Sequence, residues 1–475
     1  MSVFRKNFSS SGTSRKILKC FLSFVEKAYT QNLSRNSKYY QVKTMERKER
    51  PEFIRILFTS ILGKTYSIEV AADRADELFS EGICFDGSSV PGYANVNSSD
   101  LVLHPVVKEP LPALWDQSIS MVPCSVHETS GEAHPCDPMN ILRKVTSDIR
   151  KMGYELMAGF ELEFFLVSDD YGYIVPTDAG GYFSSAPNDK GNKIRRDALR
   201  SLAHMGIQTT AHHHEVAKGQ HEIGLRHDNA EKVALSLLLA KHAISEIAFK
   251  EGLTATFMPK PFVGMNGSGM HIHQSLWTED MKMNTFSSGL PSGVSPLAES
   301  YIAGILSHAS ALSAIVAPTV NSFKRLVPGF EAPTRIAWGP KNRTTMIRVP
   351  HFNGSSSAAR IEFRCPDPSC SPHLALAAIL ALGIHGVQSR LVPPEPTSKD
   401  LFHESTSVES LPGSLSAALD MLEQDSIIQS MLGSTAMHEF LELKRSECDR
   451  YQLSEESGDG SKISKWEIEE YLTAS

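Results

Sequence analysis

Alternating apolar and polar residues at the start of the chain predict a small domain built around β-strands. Between residues 52 and 70 the alternation indicates two strands joined near Gly63, followed by a short helix and another strand near Val102. The segment 126–138, in which Ser, Glu, His and Pro cluster, is typical of a linker. We therefore expect a mixed α/β domain over residues 51–136.

A second domain, over residues 137–475, is predicted to begin with a helix. Asp137 provides an N-cap and Pro138 suits the first helical position, and apolar residues from Ile141 to Met152 follow at helical spacing. Strands and helices then alternate. The longest apolar run, from residue 374 to 384, is far shorter than the ~18 residues that span a bilayer, so it predicts a buried helix and no membrane association.

One predicted strand, over residues 155–167, carries two acidic residues on an otherwise apolar segment. Residues on one face, from Leu156 to Leu166, are all apolar, whereas Glu161 and Glu163 lie side by side on the other face. Adjacent carboxylates repel each other, and burying either one unpaired is costly. A bound cation or a solvated sheet face would each accommodate them.

The same pattern recurs on three further segments, 207–215, 270–276 and 360–364, where one strand face carries Glu, His or Arg. Four such strands imply a polar interior, as in a barrel or a strongly curved sheet around a cavity. The candidate metal ligands are Glu161, Glu163, Glu215, Glu222, His271 and Glu362. Hard divalent cations prefer oxygen ligands and Mn²⁺ tolerates imidazole, so this set suits two Mg²⁺ or Mn²⁺ ions, whereas zinc fits poorly without a cysteine.

Several arginines in the second half of the chain suggest what such metals would hold. They are Arg325, Arg343, Arg348, Arg360 and Arg364. Guanidinium groups facing two metals are typical of a clamp for a phosphoryl group in transfer. The glycine-rich run 264–269 would let backbone amides approach a ligand closely.

Composition and charge exclude several classes of protein. Hydrophobic residues make up 41% and charged residues 21%, as in ordinary globular proteins rather than disordered or fibrous ones. Residues 1–50 hold 12 Lys or Arg and 3 Asp or Glu; since the whole chain carries −7, residues 51–475 carry −16, which argues against nucleic-acid binding over a broad face. The seven cysteines form no C-x-x-C pair, which favours a reducing compartment such as the cytoplasm.

The basic segment 1–50 admits three interpretations. Its first 25 residues are rich in Ser and basic residues and contain no acid, which resembles an organelle transit peptide. A disordered leader, or a true start at Met45, would explain the composition equally simply.

The ordered motifs resemble those of the type I glutamine synthetases, ligases that join ammonia to glutamate with hydrolysis of ATP. The motifs are at residues 85–89 (FDGSS), 159–164 (GFELEF), 213–217 (HHEVA), 219–222 (GQHE), 266–271 (NGSGMH), 324–329 (KRLVPG) and 360–364 (RIEFR). The resemblance implies an α+β fold: an N-terminal β-grasp domain, then a catalytic domain whose curved antiparallel sheet is surrounded by helices. It also implies a homododecamer of two stacked six-membered rings, with active sites between subunits.

By motif position, the resemblance implies two metal sites. Glu163, Glu215 and Glu222 would hold one metal ion, and Glu161, His271 and Glu362 the other.

The same resemblance implies roles for the remaining candidates. Arg325, Arg364, Asn266 and Gly267 would bind glutamate, whereas Arg343, Arg348, Arg360, His273 and Ser275 would lie at the ATP. Asp86, from a neighbouring subunit, would take a proton from ammonium, and Ser89 and Tyr182 would shape the ammonium pocket. Glu331 would cover the site and exclude water.

Two alternatives from the same fold stay open. A ligase that joins glutamate to a larger amine, such as a polyamine, would keep the metals and the phosphate clamp but would not need Asp86, Ser89 and Tyr182. A catalytically silent scaffold, as in the similar lens protein lengsin, would be expected to lose metal ligands. All six are present here.

Overall fold

The computed structural model describes residues 51–170, 172–289, 293–352, 355–403, 407–454 and 462–474. The interpretations of the basic leader concern residues 1–50, which lie outside the described residues.

The first sheet confirms the predicted strand pair around Gly63. Its strands are β1 (Phe53–Thr59), β2 (Thr65–Ala71), β3 (Ile83–Asp86), β4 (Asp100–Pro105), β5 (Leu111–Pro112) and β6 (Ile119–Glu128), and helix α1 (Ala75–Ser80) precedes β3. The order is β2-β1-β6-β4-β3, with β5 beside β6 and with β1 and β6 parallel. Gly63 has a φ of +83°, a conformation that favours glycine in this tight turn.

The predicted linker over 126–138 is partly wrong. Residues 126–128 belong to β6, where the backbone N–H of Val126 donates to Asp137 Oδ2 at 2.7 Å. The polar residues that suggested a linker therefore lie at the end of a paired strand and in the turn after it. The chain reverses there so that Asp137 reaches back to the sheet.

The helix predicted after Asp137 is confirmed, although it ends earlier than the apolar spacing indicates. Helix α2 (Pro138–Arg150) has Pro138 in its first turn, and the Asp137 carboxylate accepts a hydrogen bond from Met139 N at 3.0 Å. Met152 lies beyond the helix and is 38% exposed, because the chain turns at Gly153 (φ +84°) into the next strand.

The second sheet has nine strands and contains all four segments with polar faces. The nine strands are β7 (Tyr154–Asp170), β8 (Tyr173–Pro176), β9 (Thr209–His214), β10 (Gln220–Asn229), β11 (Thr254–Thr256), β12 (Met270–Thr278), β13 (Trp338–Pro340), β14 (Ile347–Val349) and β15 (Ile361–Phe363). The order is β13-β14-β15-β12-β7-β10-β9, with β8 and β11 also paired to β7. Along β7 the predicted apolar face is buried, which turns Glu161 and Glu163 to the opposite face.

Helices pack around this sheet. They are α3 (Asn192–His204), α4 (Ala230–Lys250), α5 (Pro296–Ser307), α6 (Ala309–Val316), α7 (Ser322–Arg325), α8 (Pro372–Gln388), α9 (Leu415–Gln424), α10 (Ser426–Leu432), α11 (Ser434–Leu453) and α12 (Lys465–Tyr471). The predicted buried helix is α8, which approaches α5 so closely that a Cβ on Gly304 would lie 2.1 Å from Leu382 O. Among the described helices, none is long and apolar enough to cross a membrane.

Candidate active site

Strand pairing brings the predicted metal ligands together on one face of the second sheet. The register sets His271 of β12 opposite Glu161 of β7. On the other side of β7, Glu222 of β10 lies opposite Glu163 and also pairs with His213 of β9. The alternation predicted from single strands therefore becomes a continuous polar surface once the strands are in register.

This surface forms the floor of a cavity of about 390 Å³. Fourteen of the predicted site residues line it: Glu161, Glu163, Tyr182, Glu215, Glu222, Asn266, Gly267, His271, Arg325, Glu331, Arg343, Arg348, Glu362 and Arg364. Carboxylates and guanidinium groups are thus concentrated around one space large enough for small-molecule substrates.

The first compact ligand group, the His271 group, consists of Glu161, His271 and Glu362, whose ligand atoms all lie within 4.8 Å of one another. His271 Nδ1 is 3.0 Å from Glu161 Oε2 and 3.7 Å from Glu362 Oε1. Arg348 and Arg364 each donate to Glu362, at 2.5 Å and 2.6 Å. The acids of this group therefore have basic side chains of the protein beside them.

Those basic neighbours keep the acids of the His271 group ionised. Burial alone would raise the pKa of Glu362, but the neighbouring His271 and Arg364 side chains lower it to about 2. Burial acts in the same direction on Glu161, and hydrogen bonds with His271 and His273 hold the pKa of Glu161 below its usual range. Both carboxylates are thus available as anionic ligands at neutral pH.

The second compact group, the His213 group, consists of His213, Glu215 and Glu222, with ligand atoms again within 4.8 Å of one another. His213 Nδ1 is 3.4 Å from Glu215 Oε1, and His213 Nε2 is 3.3 Å from Glu222 Oε1. Burial and the negative charge of Glu222 raise the pKa of Glu215 to about 7.

Glu163, the third predicted ligand on this side, lines the cavity next to the His213 group. Its Oε2 accepts hydrogen bonds from Gly269 N at 2.9 Å and Gln220 Nε2 at 3.0 Å. Burial, followed by the charges of Glu215 and Glu222, raises the pKa of Glu163 well above its usual value. Full ionisation of these acids would therefore place more negative charge on this side of the cavity than its protein neighbours neutralise.

A second cavity, of about 350 Å³, adjoins the first, and Glu161 lines both. Arg360, His273 and Ser275, the other predicted ATP-binding residues, line this second cavity. His273 Nε2 is 2.8 Å from Glu161 Oε1, which links the two cavities through one carboxylate.

Two loops meet at the rim of the main cavity. Asn266 Nδ2 donates to Glu331 Oε2 at 3.0 Å, so the glycine-rich loop contacts the loop after 324–329. Glu331 has a φ of +58°, a left-handed conformation that costs energy in any residue with a Cβ. Sequence reasoning had no signal for this backbone strain.

The segment that carries Arg325 is joined by an ion pair to helix α12, which lies far along the chain. Arg325 itself donates to Cys365 O at 2.8 Å and to Arg364 O at 3.2 Å. Its neighbour Lys324 forms an ion pair of 2.6 Å with Glu467 of α12, a side chain that is completely buried. The C-terminal helix thus fixes the position of a cavity-lining arginine.

A buried polar network behind the β9–β10 turn was missed by sequence reasoning. Asp178 Oδ1 lies 2.8 Å from His214 Nε2 and accepts a hydrogen bond from Gly219 N at 3.0 Å. His214 and Gly219 flank Glu215 along the turn, so Asp178 restrains the backbone that carries this ligand. His214 belongs to the motif at residues 213–217 and could be recognised from the sequence. Asp178 could not, because it is 36 residues away from His214 along the chain.

Tyr182 lies at the edge of the main cavity and is 46% exposed. Its ring contacts His213 edge-on, with centroids 5.5 Å apart. Burial raises the pKa of Tyr182, while a hydrogen bond with Arg343 opposes that shift. Tyr182 therefore joins the His213 group to one of the predicted phosphate-binding arginines.

Asp86 and Ser89 are not among the described residues that line the two cavities. Asp86 ends β3 and Ser89 lies in the turn that follows; both are exposed, and Ser89 Oγ is 3.2 Å from Asp86 Oδ2. The hydroxyl and backbone N–H of Ser88 lower the pKa of Asp86, so it is ionised at neutral pH. Within one subunit these two residues stand apart from the site.

Comparisons with known proteins identify two family models along the chain. One described as "Glutamine synthetase, beta-Grasp domain" matches residues 50–129, and one described as "Glutamine synthetase, catalytic domain" matches residues 135–471. The glutamine synthetase of Methanocaldococcus jannaschii is 42% identical over 446 residues, covering 90% of this chain and 96% of that protein. The glutamine synthetase of Thermotoga maritima is 39% identical over 443 residues, covering 91% and 98%.

Solved structures agree with these relatives. One described as "Apo GmaS without ligand" has a TM-score of 0.79 at 30% identity and covers 90% of this chain and 98% of its own. Another, "GmaS/ADP complex-Conformation 1", has a TM-score of 0.77, also at 30% identity, and covers 89% and 97%. The predicted fold, a β-grasp domain followed by a catalytic domain with a curled sheet, is confirmed. The domain boundary between residues 136 and 137 stays a prediction.

Proposed function

The chain belongs to the glutamine synthetase family, and on this premise we propose that it joins ammonia to the γ-carboxylate of L-glutamate, with hydrolysis of ATP, at the main cavity. One observation carries the proposal. Two compact groups of metal-ligating side chains share one cavity with four arginines, Arg325, Arg343, Arg348 and Arg364. Such a site can hold a phosphoryl group and a carboxylate substrate at the same time.

The chemistry of the donor set fits two divalent metal ions. The excess negative charge of Glu163, Glu215 and Glu222 makes this side of the cavity favourable for a cation, and His213 lies within reach of the latter two. Glu161, His271 and Glu362 would hold the second ion. Oxygen-rich ligands with few imidazoles favour Mg²⁺ or Mn²⁺. When bound, such ions neutralise phosphate charge and polarise the transferred group.

ATP would extend from the second cavity into the main one. Arg360, His273 and Ser275 line the second cavity, and Glu161 joins the two spaces. In the main cavity Arg343 and Arg348 would bind the phosphates. A guanidinium group suits this role because its N–H donors match phosphate oxygens in pairs.

Glutamate would bind beside the ATP phosphates in the main cavity, since Arg348 and Arg364 both contact Glu362. Arg325 and Arg364 would receive its carboxylates, while Asn266 and Gly267 would contact the amino-acid end. A Cβ on Gly267 would lie 2.3 Å from Pro259 O, so only glycine allows the backbone to pass so close to this loop.

The reaction would proceed in two steps. The glutamate γ-carboxylate attacks the γ-phosphorus of ATP, forming γ-glutamyl phosphate and releasing ADP. Asp86 of the partner subunit takes a proton from ammonium, and the ammonia attacks the acyl carbon and displaces phosphate. Glu331, at the rim, would exclude water that would otherwise hydrolyse the acyl phosphate.

A homo-oligomer with sites between subunits follows from this assignment. Asp86 and Ser89 are exposed and stand outside the cavity-lining residues of their own subunit, whereas Tyr182 lies at the rim. A second copy would have to bring its Asp86 to that rim. The predicted dodecamer of two stacked rings is one assembly that would do so.

The second candidate function is ligation of glutamate to a larger amine. It would use the same metals, arginines and nucleotide. The ionised Asp86, with Ser89 beside it, could take a proton from ammonium or from an alkylammonium ion, so these residues do not separate the two functions. What favours ammonium is the similarity of the whole chain to relatives named glutamine synthetase.

The deciding measurement is release of phosphate from ATP in the presence of glutamate and Mg²⁺. We expect ammonium to stimulate release and glutamine to accumulate, with little release when no acceptor is added. Stimulation only by larger amines would favour the second candidate. No turnover with any acceptor, from an assembled oligomer, would contradict both and favour the silent scaffold.

The role of Asp86 can be tested with Asp86→Ala. We expect glutamine formation to fall by roughly 100-fold or more, as for loss of a general base, while ATP and glutamate still bind. Asp76→Ala, at another exposed acid of the same domain, is the matched control and should keep full activity. Loss of substrate binding in Asp86→Ala would overturn the assignment of Asp86 as the ammonium base.

A further inference from the structure

A separate cavity of about 390 Å³ lies away from the candidate active site, and we call it the side cavity. Helices α2 and α4 form much of its wall, and the segment between β4 and β5 contributes the rest of one side. None of its lining residues also lines the main cavity. The proposed ligase activity therefore leaves this space without a role.

Most of the wall is apolar. Met139, Leu235 and Leu239 are representative of the side chains that line it. A space of this volume, with apolar walls, suits a small organic molecule with an aromatic or branched aliphatic body. The polar groups at its wall are therefore the features that indicate which chemical class of ligand the cavity would bind.

One polar residue at the wall of the side cavity, His373, is almost completely buried and has an unpaired ring nitrogen among the described residues. This residue lies in the first turn of α8 and is only 3% exposed. Its Nδ1 has no hydrogen-bond partner among the described residues. A buried polar atom without a partner is energetically unfavourable, so a ligand atom that reached it would remove that cost.

The imidazole of His373 is neutral at physiological pH. Burial, with the positive charge of Arg143, lowers its pKa to about 3. One ring nitrogen of a neutral imidazole donates a hydrogen bond and the other accepts one. His373 can therefore donate to an anion without itself carrying charge.

Glu231 and Lys232 also line the side cavity, and Lys232 Nζ is 2.6 Å from Asp228 Oδ2, so the cation that we assign to a ligand is Arg143. Its Nη1 donates to Asn140 Oδ1 at 2.9 Å, and its Nε is 4.0 Å from Glu231 Oε2. Glu231 is already bound more closely by Arg150, at 3.0 Å, and by Thr146, at 2.7 Å. The Arg143 side chain is 45% exposed, so its guanidinium group can still receive a carboxylate from solution.

We propose that the side cavity binds a small monocarboxylic acid with an apolar body. The carboxylate accepts hydrogen bonds from Arg143 and His373, and the body packs against the wall formed by Met139, Leu235 and Leu239. The proposal is independent of the reaction at the main cavity, because it concerns binding alone.

The test uses 3-phenylpropanoate as the probe, titrated into the full chain by isothermal titration calorimetry. We expect binding with a Kd of roughly 1 mM, as suits a ligand of this size. Arg143→Gln should weaken binding at least tenfold. Lys144→Gln, the same charge change one residue away on the exposed side of α2, is the matched control and should bind like the wild type.

Two further measurements identify the cavity and the group recognised. Leu235→Trp fills the space with an indole ring and should abolish binding, whereas a carboxylate bound at the main cavity would be unaffected. The neutral amide of the probe should bind at least tenfold more weakly. No binding of the acid, wild-type affinity in Leu235→Trp, or equal affinity for acid and amide would each overturn the proposal.

Discussion

The two ligand groups on the sheet differ in how their negative charge is balanced. In the His271 group, Arg348 and Arg364 hold Glu362 at 2.5 Å and 2.6 Å, and the pKa of Glu362 falls to about 2. In the His213 group, burial and the neighbouring acid raise the pKa of Glu215 to about 7. One group is balanced by the protein itself, whereas the other needs a charge from outside.

Each group consists of one histidine and two glutamates, so the difference lies in the charges that surround the ligands and not in the ligands themselves. The balanced group stays ionised whatever is bound, and its arginines are oriented by Glu362 towards the cavity. The unbalanced group is strained in the absence of a cation, so binding a metal ion relieves repulsion that folding has created. The sharpest tests alter one group and leave the other intact.

The largest effect is expected from Glu362→Gln. It leaves Arg348 and Arg364 with a neutral neighbour in a largely buried position, and breaking such a pair costs about 3–5 kcal/mol. Urea denaturation of the metal-free protein measures this loss. The matched control is Glu77→Gln, which breaks an exposed pair with Arg74 and should leave stability almost unchanged. Equal losses of stability in the two variants would mean that the ion pairs of Glu362 stabilise the folded protein no more than an exposed ion pair does.

Metal ions are expected to have the next largest effect. Mg²⁺ or Mn²⁺ that fills one of the two sites at about 100 times its Kd should raise the free energy of unfolding by about 2.7 kcal/mol. A chelator should reverse the gain and abolish phosphate release, and Mg²⁺ or Mn²⁺ should restore both. Recovery with zinc alone would contradict the assignment of an oxygen-rich site.

Metal affinity should depend on pH through the His213 group. In the metal-free protein the pKa of Glu215 is raised to about 7, so the folded state binds a proton that a metal ion must displace. Below pH 7 the apparent Kd should rise about tenfold per pH unit for each proton displaced, and the part of this dependence that is due to Glu215 should disappear above pH 7. Calorimetry in buffers of different ionisation enthalpy counts the protons released. A Kd independent of pH between 5 and 7 would show that the group is already ionised.

The smallest effect is expected from Glu163→Gln. Burial beside Glu215 and Glu222 makes this acid unfavourable, so replacing it with a neutral amide should stabilise the metal-free protein by less than Glu362→Gln destabilises it. The amide oxygen can still accept from Gly269 N and Gln220 Nε2. The same urea experiment measures the change, and a loss of stability would contradict the contrast between the groups.

The sequence predicted the parts of the site that follow from local pattern. Alternation along β7 separates Leu156 and Leu166 from Glu161 and Glu163, and this separation needs no knowledge of the neighbouring strands. The start of α2 at Asp137 follows equally from two adjacent residues. Such features are predictable because the physical cause lies within a few positions of the residue concerned.

Features that depend on strand register were not predictable in the same way. No local pattern sets His213 beside Glu222, because that contact arises only when β9 pairs with β10. The local composition of residues 126–128 predicts a linker, because their place in β6 depends on distant partners in β4. The assignment of ligands to the two metal ions stays a prediction.

The ion pair between Lys324 and Glu467 has a consequence for the synthesis of the chain. Glu467 follows Arg325 by 142 residues, so the segment bearing this arginine is made long before its anchor exists. At typical translation rates that interval lasts roughly 10–30 s. We therefore expect a nascent chain to acquire its sheet early and a substrate-ready cavity only at the end. A partly made subunit would then be unable to consume ATP.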